Sequence, residues 1–154
     1  MIKKLVSVVA AAAALVIWSA TVASAYPDAG SASKCSSGVD GTACAHLETD
    51  ASSGHIRARA AATPAPGSEG ITILESRLDV LTTERATGQQ SARTLLYVRG
   101  FFNTIPGQTA NVIAGPAQEQ CDNALATFQY RAIMIYATKF GDYTLNTGWH
   151  AGRC

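Results

Sequence analysis

The 154-residue chain is 47% hydrophobic and 15% charged, with a formal net charge of +1. So balanced a charge provides no basic field for a phosphate backbone, which argues against nucleic acid as a partner. After residue 25, no apolar run reaches the roughly 18 to 20 residues that a membrane span needs.

Residues 1–25 have the three-part layout of a cleaved secretory signal. Two lysines precede an uncharged apolar run from Leu5 to about Trp18, and Ala23-Ser24-Ala25 provides the small residues of a cleavage site. We predict a mature chain that starts at Tyr26 and is secreted, with no membrane span after cleavage. It keeps ten basic and eleven acidic residues, a formal charge of −1 over 129 residues.

The mature chain contains an even number of cysteines, which in an exported protein indicates disulfides rather than free thiols. Three pairings are possible. The pairs that each close a local segment are favoured, Cys35 with Cys44 and Cys121 with Cys154. Zinc is disfavoured because no two cysteines have the two-to-four-residue spacing of a zinc knuckle.

Composition divides the mature chain into a lead-in and a folded domain. Residues 26–41 are rich in Ser, Ala, Gly and Asp, so they are expected to form a flexible, irregular lead-in before a domain over 42–154. Ala43–Thr49 alternates small apolar and polar residues. His55–Thr63 is a clearer half-buried strand, with its alanines on one face and its arginines on the other.

The segment 71–83 is ambiguous between strand and helix. Its apolar residues fit a period of two but also fall at helical spacing. A strand is favoured because no convincing N-cap opens the segment and because β-branched residues such as Thr82 and Thr83 are costly in helices.

The second half of the chain continues the β pattern. Ala92–Phe102 is rich in aromatic and β-branched residues, and Pro106-Gly107 is the pair that a type II turn prefers. A short strand is expected over 108–114, closed by Gly115-Pro116. Leu125–Thr138, apolar on both faces in its second half, is expected to be a central strand, followed by a returning strand over 143–149.

These patterns predict an all-β fold in which about seven strands form a single antiparallel two-sheet sandwich, immunoglobulin-like in the loose sense.

No constellation of catalytic residues stands out. The chain lacks a Gly-x-Ser-x-Gly elbow and a phosphate-binding glycine loop, and a metal site would require its three histidines to converge from separate strands. Catalytic, cofactor-binding and metal sites are therefore predicted to be absent. His46 and His55 are interpreted as solvated side chains at strand ends or on polar faces. His150 beside an acid such as Asp142 is the one candidate pair for an enzyme, provided the two converge on one cleft.

The acidic residues are interpreted as contributing to solubility and to cross-strand pairing with Arg57, Arg59 and Arg77. For Tyr97 and Phe101, core or semi-buried packing is the favoured interpretation, and a binding surface is the alternative. Period-two alternation over 92–102 puts a mixed aromatic and basic set on one face, namely Arg93, Tyr97, Arg99 and Phe101.

Several short features together resemble the small secreted β-sandwich proteins of unknown function encoded by actinobacteria. They are the signal ending in Ala23-Ser24-Ala25, the strand Ala43-Cys44-Ala45, the Arg-Ala-Arg segment at 57–59, and Cys121 followed by Tyr130-Arg131-Ala132. The resemblance implies a secreted or cell-surface protein with no assigned reaction, so it transfers no catalytic residues.

The predicted function is therefore non-enzymatic binding of an unknown protein or cell-envelope ligand. Two alternatives remain open. A secreted protease inhibitor could present the segment that Cys35 and Cys44 enclose, and a small extracellular hydrolase could use His150.

Overall fold

The computed structural model describes residues 32–50 and 52–152, together with the backbone of 16–18. The predicted signal therefore lies outside the described residues except for 16–18. Ten strands follow in chain order: β1 (Val16–Trp18), β2 (Ala32–Gly38), β3 (Gly41–Asp50), β4 (His55–Pro64), β5 (Thr72–Glu84), β6 (Gln90–Asn103), β7 (Ala110–Gln118), β8 (Ala126–Thr138), β9 (Gly141–Asn146) and β10 (His150–Ala151).

The strands form two antiparallel sheets packed face to face, which confirms the predicted sandwich. In sheet A the order is β7-β4-β3-β2, with the three-residue β1 pairing on β7. In sheet B the order is β6-β5-β8, and both β9 and β10 pair with the far edge of β8. β5 pairs along its length with β6 and β8, so the ambiguous segment 71–83 is a central strand, as favoured.

The core combines small and large side chains from the two inner faces. Sheet A contributes a layer of buried alanines from β3, β4 and β7, and sheet B contributes larger residues such as Leu78, Tyr130 and Met134. Small residues facing large ones fill the space between the sheets, as interior packing density requires. The period-two alanine pattern is therefore a core signal.

The lead-in prediction needs a correction. Residues 32–38, in the second half of the expected irregular segment 26–41, form strand β2 and pair residue by residue with β3. Backbone hydrogen bonds to β3, and a disulfide between them, compensate for the few large apolar residues in this segment. Strand β2 raises the strand count above the expected seven.

β7 does not end at Gly115-Pro116 but continues to Gln118. Opposite this point, the register of β4 shifts between Ile56 and Ala58. Gly115 has φ +135°, and a Cβ there would lie 2.6 Å from the Cβ of Arg57. The glycine therefore allows the bulge that lets the two strands stay paired.

Two turns decide the ends of other strands. The Pro106-Gly107 turn is confirmed, with Gly107 at φ +78° and Gln108 N donating to Ile105 O at 3.0 Å. The single returning strand expected over 143–149 is not found. Instead, β9 ends at Asn146, and pairing with β8 resumes at His150 in β10.

The disulfide prediction is confirmed for Cys35 and Cys44, which lie directly opposite each other in β2 and β3. Cys121 is also disulfide-bonded. Its predicted partner Cys154 lies outside the described residues.

Candidate functional site

The predicted binding residues lie on β6, the edge strand of sheet B, but they do not all share one face. Tyr97 and Arg99 lie opposite Arg77 and Glu75 of β5 and point outward with them. Tyr97 is 61% exposed and Phe101, on the same face, is 85% exposed. Both are unusually accessible for large ring side chains.

Arg93 does not belong to this outer face. The β5–β6 register shifts between Leu78 and Asp79, so Arg93 lies opposite Val80, whose side chain points into the core. One extra residue in β6 reverses the direction of every side chain that follows. Period-two counting over 92–102 therefore assigned Arg93 to the wrong face, and Thr94 takes its place there.

Two carboxylates that point outward from β5 are buried. Glu75 is 2% exposed and Asp79 is 4% exposed. Buried carboxylates need cationic or hydrogen-bonding partners to offset their desolvation. The neighbouring strands contribute partners, because Glu75 and Asp79 each have a cross-strand neighbour on both sides.

Three arginines surround these carboxylates. Arg99 Nε donates to Glu75 Oε2 at 2.8 Å, Arg99 Nη2 lies 2.6 Å from the same oxygen, and Arg77 Nη1 lies 3.2 Å from Glu75 Oε1. Arg131 donates from Nε and Nη2 to Asp79 Oδ2, both at 3.0 Å. Arg77 Nε lies 3.1 Å from Asp79 Oδ1 without hydrogen-bond alignment. The cluster contains three positive and two negative side chains.

Arg77 pairs with acidic residues, but these are Glu75 and Asp79 of its own strand rather than the expected cross-strand partners, and both acids are buried rather than solubilising. Sequence reasoning missed the part played by Arg131. Its guanidinium also stacks over the Trp149 ring, 4.3 Å from the centroid. Trp149 lies between the end of β9 and the start of β10. The local sequence pattern did not predict this interruption.

Arg99 is the accessible member of the cluster, since 70% of its side chain is exposed. It borders a shallow pocket of about 240 Å³ that also includes Thr94 and Tyr97. Because Nε and one Nη2 proton are directed at Glu75, the remaining guanidinium donors are available to a ligand. A fixed guanidinium beside exposed rings can bind a carboxylate or phosphate.

Sheet A has a second, more enclosed cluster on its outer face. Glu48 is 3% exposed and accepts hydrogen bonds from Arg57 Nε and Arg59 Nε, both at 2.6 Å. Arg59 Nη1 also donates to Asn111 Oδ1 at 3.0 Å. The two arginine side chains are only 16% and 22% exposed, so this cluster is mainly structural.

His46 lies beside the Glu48 cluster. Burial lowers the pKa of its imidazole below the ordinary 6.5, and the positive charge of Arg59 lowers it further, against an opposing effect of Glu48. The neutral form is therefore favoured in the folded state. His55 contacts Ser53 Oγ through Nδ1 at 2.9 Å.

The candidate catalytic pair is not brought together. His150 lies opposite Tyr130 and Asp142 opposite Ala137, seven residues further along β8. That separation corresponds to about 23 Å along a strand. His150 Nε2 instead lies 2.7 Å from Thr147 O.

The segment enclosed by the Cys35–Cys44 disulfide is a β-hairpin. Ser36 lies opposite Ala43 and Gly38 opposite Gly41, so the hairpin turns at residues 39 and 40. Its backbone is largely committed to strand pairing, unlike the extended loop expected of an inhibitor.

Over the part of the chain that the structure describes, no three His, Cys, Asp or Glu side chains form a group suited to a metal ion. Within the same residues, no helix has the length and apolar character of a membrane span. Comparison with models of known protein families finds no match to this chain, and comparison with curated proteins finds no relative.

Proposed function

We propose that this is an exported, non-enzymatic binding protein whose outer sheet B face recognises an anionic extracellular or cell-envelope ligand. The leader at 1–25 supports export, as does the Cys35–Cys44 disulfide, since disulfides persist in oxidising compartments. The resemblance to small secreted actinobacterial proteins favours the same compartment.

The exposed guanidinium of Arg99 supports the proposed class of ligand. Arg99 is held by the buried Glu75 yet remains 70% exposed, between the exposed rings of Tyr97 and Phe101 on the same strand face. Holding the guanidinium reduces the entropy that binding would cost. The rings add apolar area, so the ligand should combine a carboxylate or phosphate with a flat or apolar surface.

Binding should be measured on residues 26–154 with polyglutamate and polyphosphate as immobilised probes and neutral dextran as a blank. We expect salt-sensitive binding that Arg99→Gln weakens by about tenfold. Replacing both Tyr97 and Phe101 with Ala should weaken binding similarly. Leu125→Ala is the matched control, because Leu125 is 80% exposed and is not among the residues of the pocket.

Equal binding by wild type and Arg99→Gln would refute the site. Export is tested separately by N-terminal sequencing of protein recovered from the medium. A mature chain that starts at Tyr26 would support the proposal, and retention of the leader would contradict it.

A further inference from the structure

A second pocket, distinct from the sheet B face, opens between the β2–β3 and β8–β9 hairpins. It has a volume of about 200 Å³, and its lining includes Asp40, Ile71, Tyr136, Phe140 and Tyr143. We call it the hairpin cleft. None of the residues in the arginine cluster lines it.

Aromatic side chains form one wall of the hairpin cleft. Tyr136 and Tyr143 lie opposite each other in β8 and β9, with ring centroids 5.4 Å apart and planes inclined by 24°. Tyr143 is 43% exposed and Phe140 is 63% exposed. Lys139 Nζ lies 5.1 Å from the centroid of the Phe140 ring, so a cation already lies against this aromatic group.

Asp40 supplies a carboxylate to the cleft. The residue is only 7% exposed, its side chain forms no hydrogen bond or ion pair with another described residue, and its carboxylate oxygens reach the solvent in the cleft. Its backbone position is fixed, since its carbonyl accepts from Ala65 N at 2.9 Å and Ser68 Oγ at 3.1 Å. Lys139, in the β8–β9 turn, pairs instead with Glu69, with Nζ 3.9 Å from Oε1.

A carboxylate in a partly enclosed cleft attracts a cation more strongly than one in open solvent, because less water screens its charge. Aromatic rings attract cations through their negative faces and also favour the alkyl groups around an ammonium nitrogen. A carboxylate and three aromatic rings therefore have complementary preferences for one chemical group.

We propose that the hairpin cleft binds an alkylammonium group, with Asp40 as its counter-ion and Tyr143 and Phe140 as its aromatic contacts. Two sources share this chemistry, a quaternary ammonium headgroup and the side chain of a lysine. The inference is independent of anion binding on sheet B, because it involves neither the same residues nor the same sign of charge.

The test uses residues 26–154 and calorimetric titration with three probes. Tetramethylammonium represents the headgroup, Nα-acetyl-lysine methylamide represents the lysine side chain, and 3,3-dimethyl-1-butanol is a neutral apolar control of similar shape to choline. We expect at least one cation to bind at concentrations up to about 10 mM, at least about tenfold more tightly than the neutral probe.

Asp40→Asn should weaken the binding of the cation by about tenfold or more, because it removes the charge and preserves the shape. Asp142→Asn is the matched control, on the neighbouring β9 but outside the lining of the cleft. Tyr143→Leu is a second variant, useful if Asp40→Asn unfolds, and it should also weaken binding. Thermal unfolding of each variant verifies the fold.

The cation that binds more tightly identifies the source, and comparable binding of both supports the shared ammonium chemistry. No binding of either cation at about 10 mM would overturn the proposal. Unchanged affinity in folded Asp40→Asn would overturn it, as would equal affinity for the neutral probe.

Discussion

The outer faces of the two sheets both combine a buried glutamate with arginines, but the arginines differ in how exposed they are. Each has a glutamate less than 4% exposed that is held by two arginines, Glu48 on sheet A and Glu75 on sheet B. On sheet A both arginines come from β4, an interior strand, and are mostly covered. On sheet B, Arg99 belongs to the edge strand β6 and remains accessible.

The position of a strand within its sheet therefore determines whether its arginine side chains are covered or accessible to a ligand. An interior strand has neighbours on both sides that cover its side chains, whereas an edge strand leaves one side open to solvent. The Glu48 cluster can only stabilise the fold, whereas the Glu75 cluster both anchors β5 and presents a guanidinium.

The largest expected effect is on Glu48. Glu48→Gln removes the buried negative charge that pairs with the largely covered Arg57 and Arg59, so we expect the free energy of unfolding to fall by about 3 kcal/mol. Glu75→Gln should cost about 1–2 kcal/mol, because solvent can screen the exposed Arg99. Urea denaturation at pH 7 measures both. Equal losses would contradict the proposed difference between the faces.

The next effect concerns the edge strands. β2 is tied to β3 by the Cys35–Cys44 disulfide, and closing a loop of this length contributes about 2–3 kcal/mol. The double replacement Cys35→Ala with Cys44→Ala should lower stability by that amount. Hydrogen exchange should increase in β2 but not in β6. An equal increase of hydrogen exchange in β2 and β6 would show that the disulfide does not act locally.

A smaller effect separates stability from binding. Arg59→Gln should lower the free energy of unfolding by about 1–2 kcal/mol and leave polyanion binding unchanged. Arg99→Gln should lower it by less than about 1 kcal/mol and weaken binding. Paired denaturation and binding measurements test the pattern. The division between the faces would be wrong if Arg59→Gln alone impaired binding.

The smallest effect is a pH dependence at His46. Because burial holds its folded pKa below 6.5, the unfolded chain binds the proton more readily. His46 should therefore have no effect above about pH 7 but destabilise the fold as pH falls below 6.5 towards its folded pKa. His46→Gln should make the loss of stability between pH 7 and 5 shallower. His55→Gln, on the same sheet face, is the control, and an identical slope in both variants would refute the assignment.

Local patterns predicted most of the fold because alternation, turn residues and β-branched side chains act within a few neighbours. His55–Thr63 and Leu125–Thr138 were located to within a residue or so at each end. Strand β2 was missed because its stability comes from pairing with β3 and from a disulfide rather than from apolar side chains of its own.

The candidate site was only partly predictable. Tyr97 and Phe101 are exposed, whereas core or semi-buried packing was the favoured prediction for them. Arg93 was misplaced because a bulge is a property of two paired strands. The burial of Glu75 and Asp79 depends on arginines that lie between 2 and 52 positions away in the sequence. Such pairs become visible only when the register of three strands is known.

By itself, the sequence determined the all-β class, the alternating core and one cysteine pairing, since these follow from side-chain period, turn chemistry and local spacing. The tertiary structure decided which arginine is covered and which remains open. It also placed Asp40 in one cleft with the aromatic pair of another hairpin. These features depend on register and on sheet edges, which hydrogen bonding between distant segments establishes.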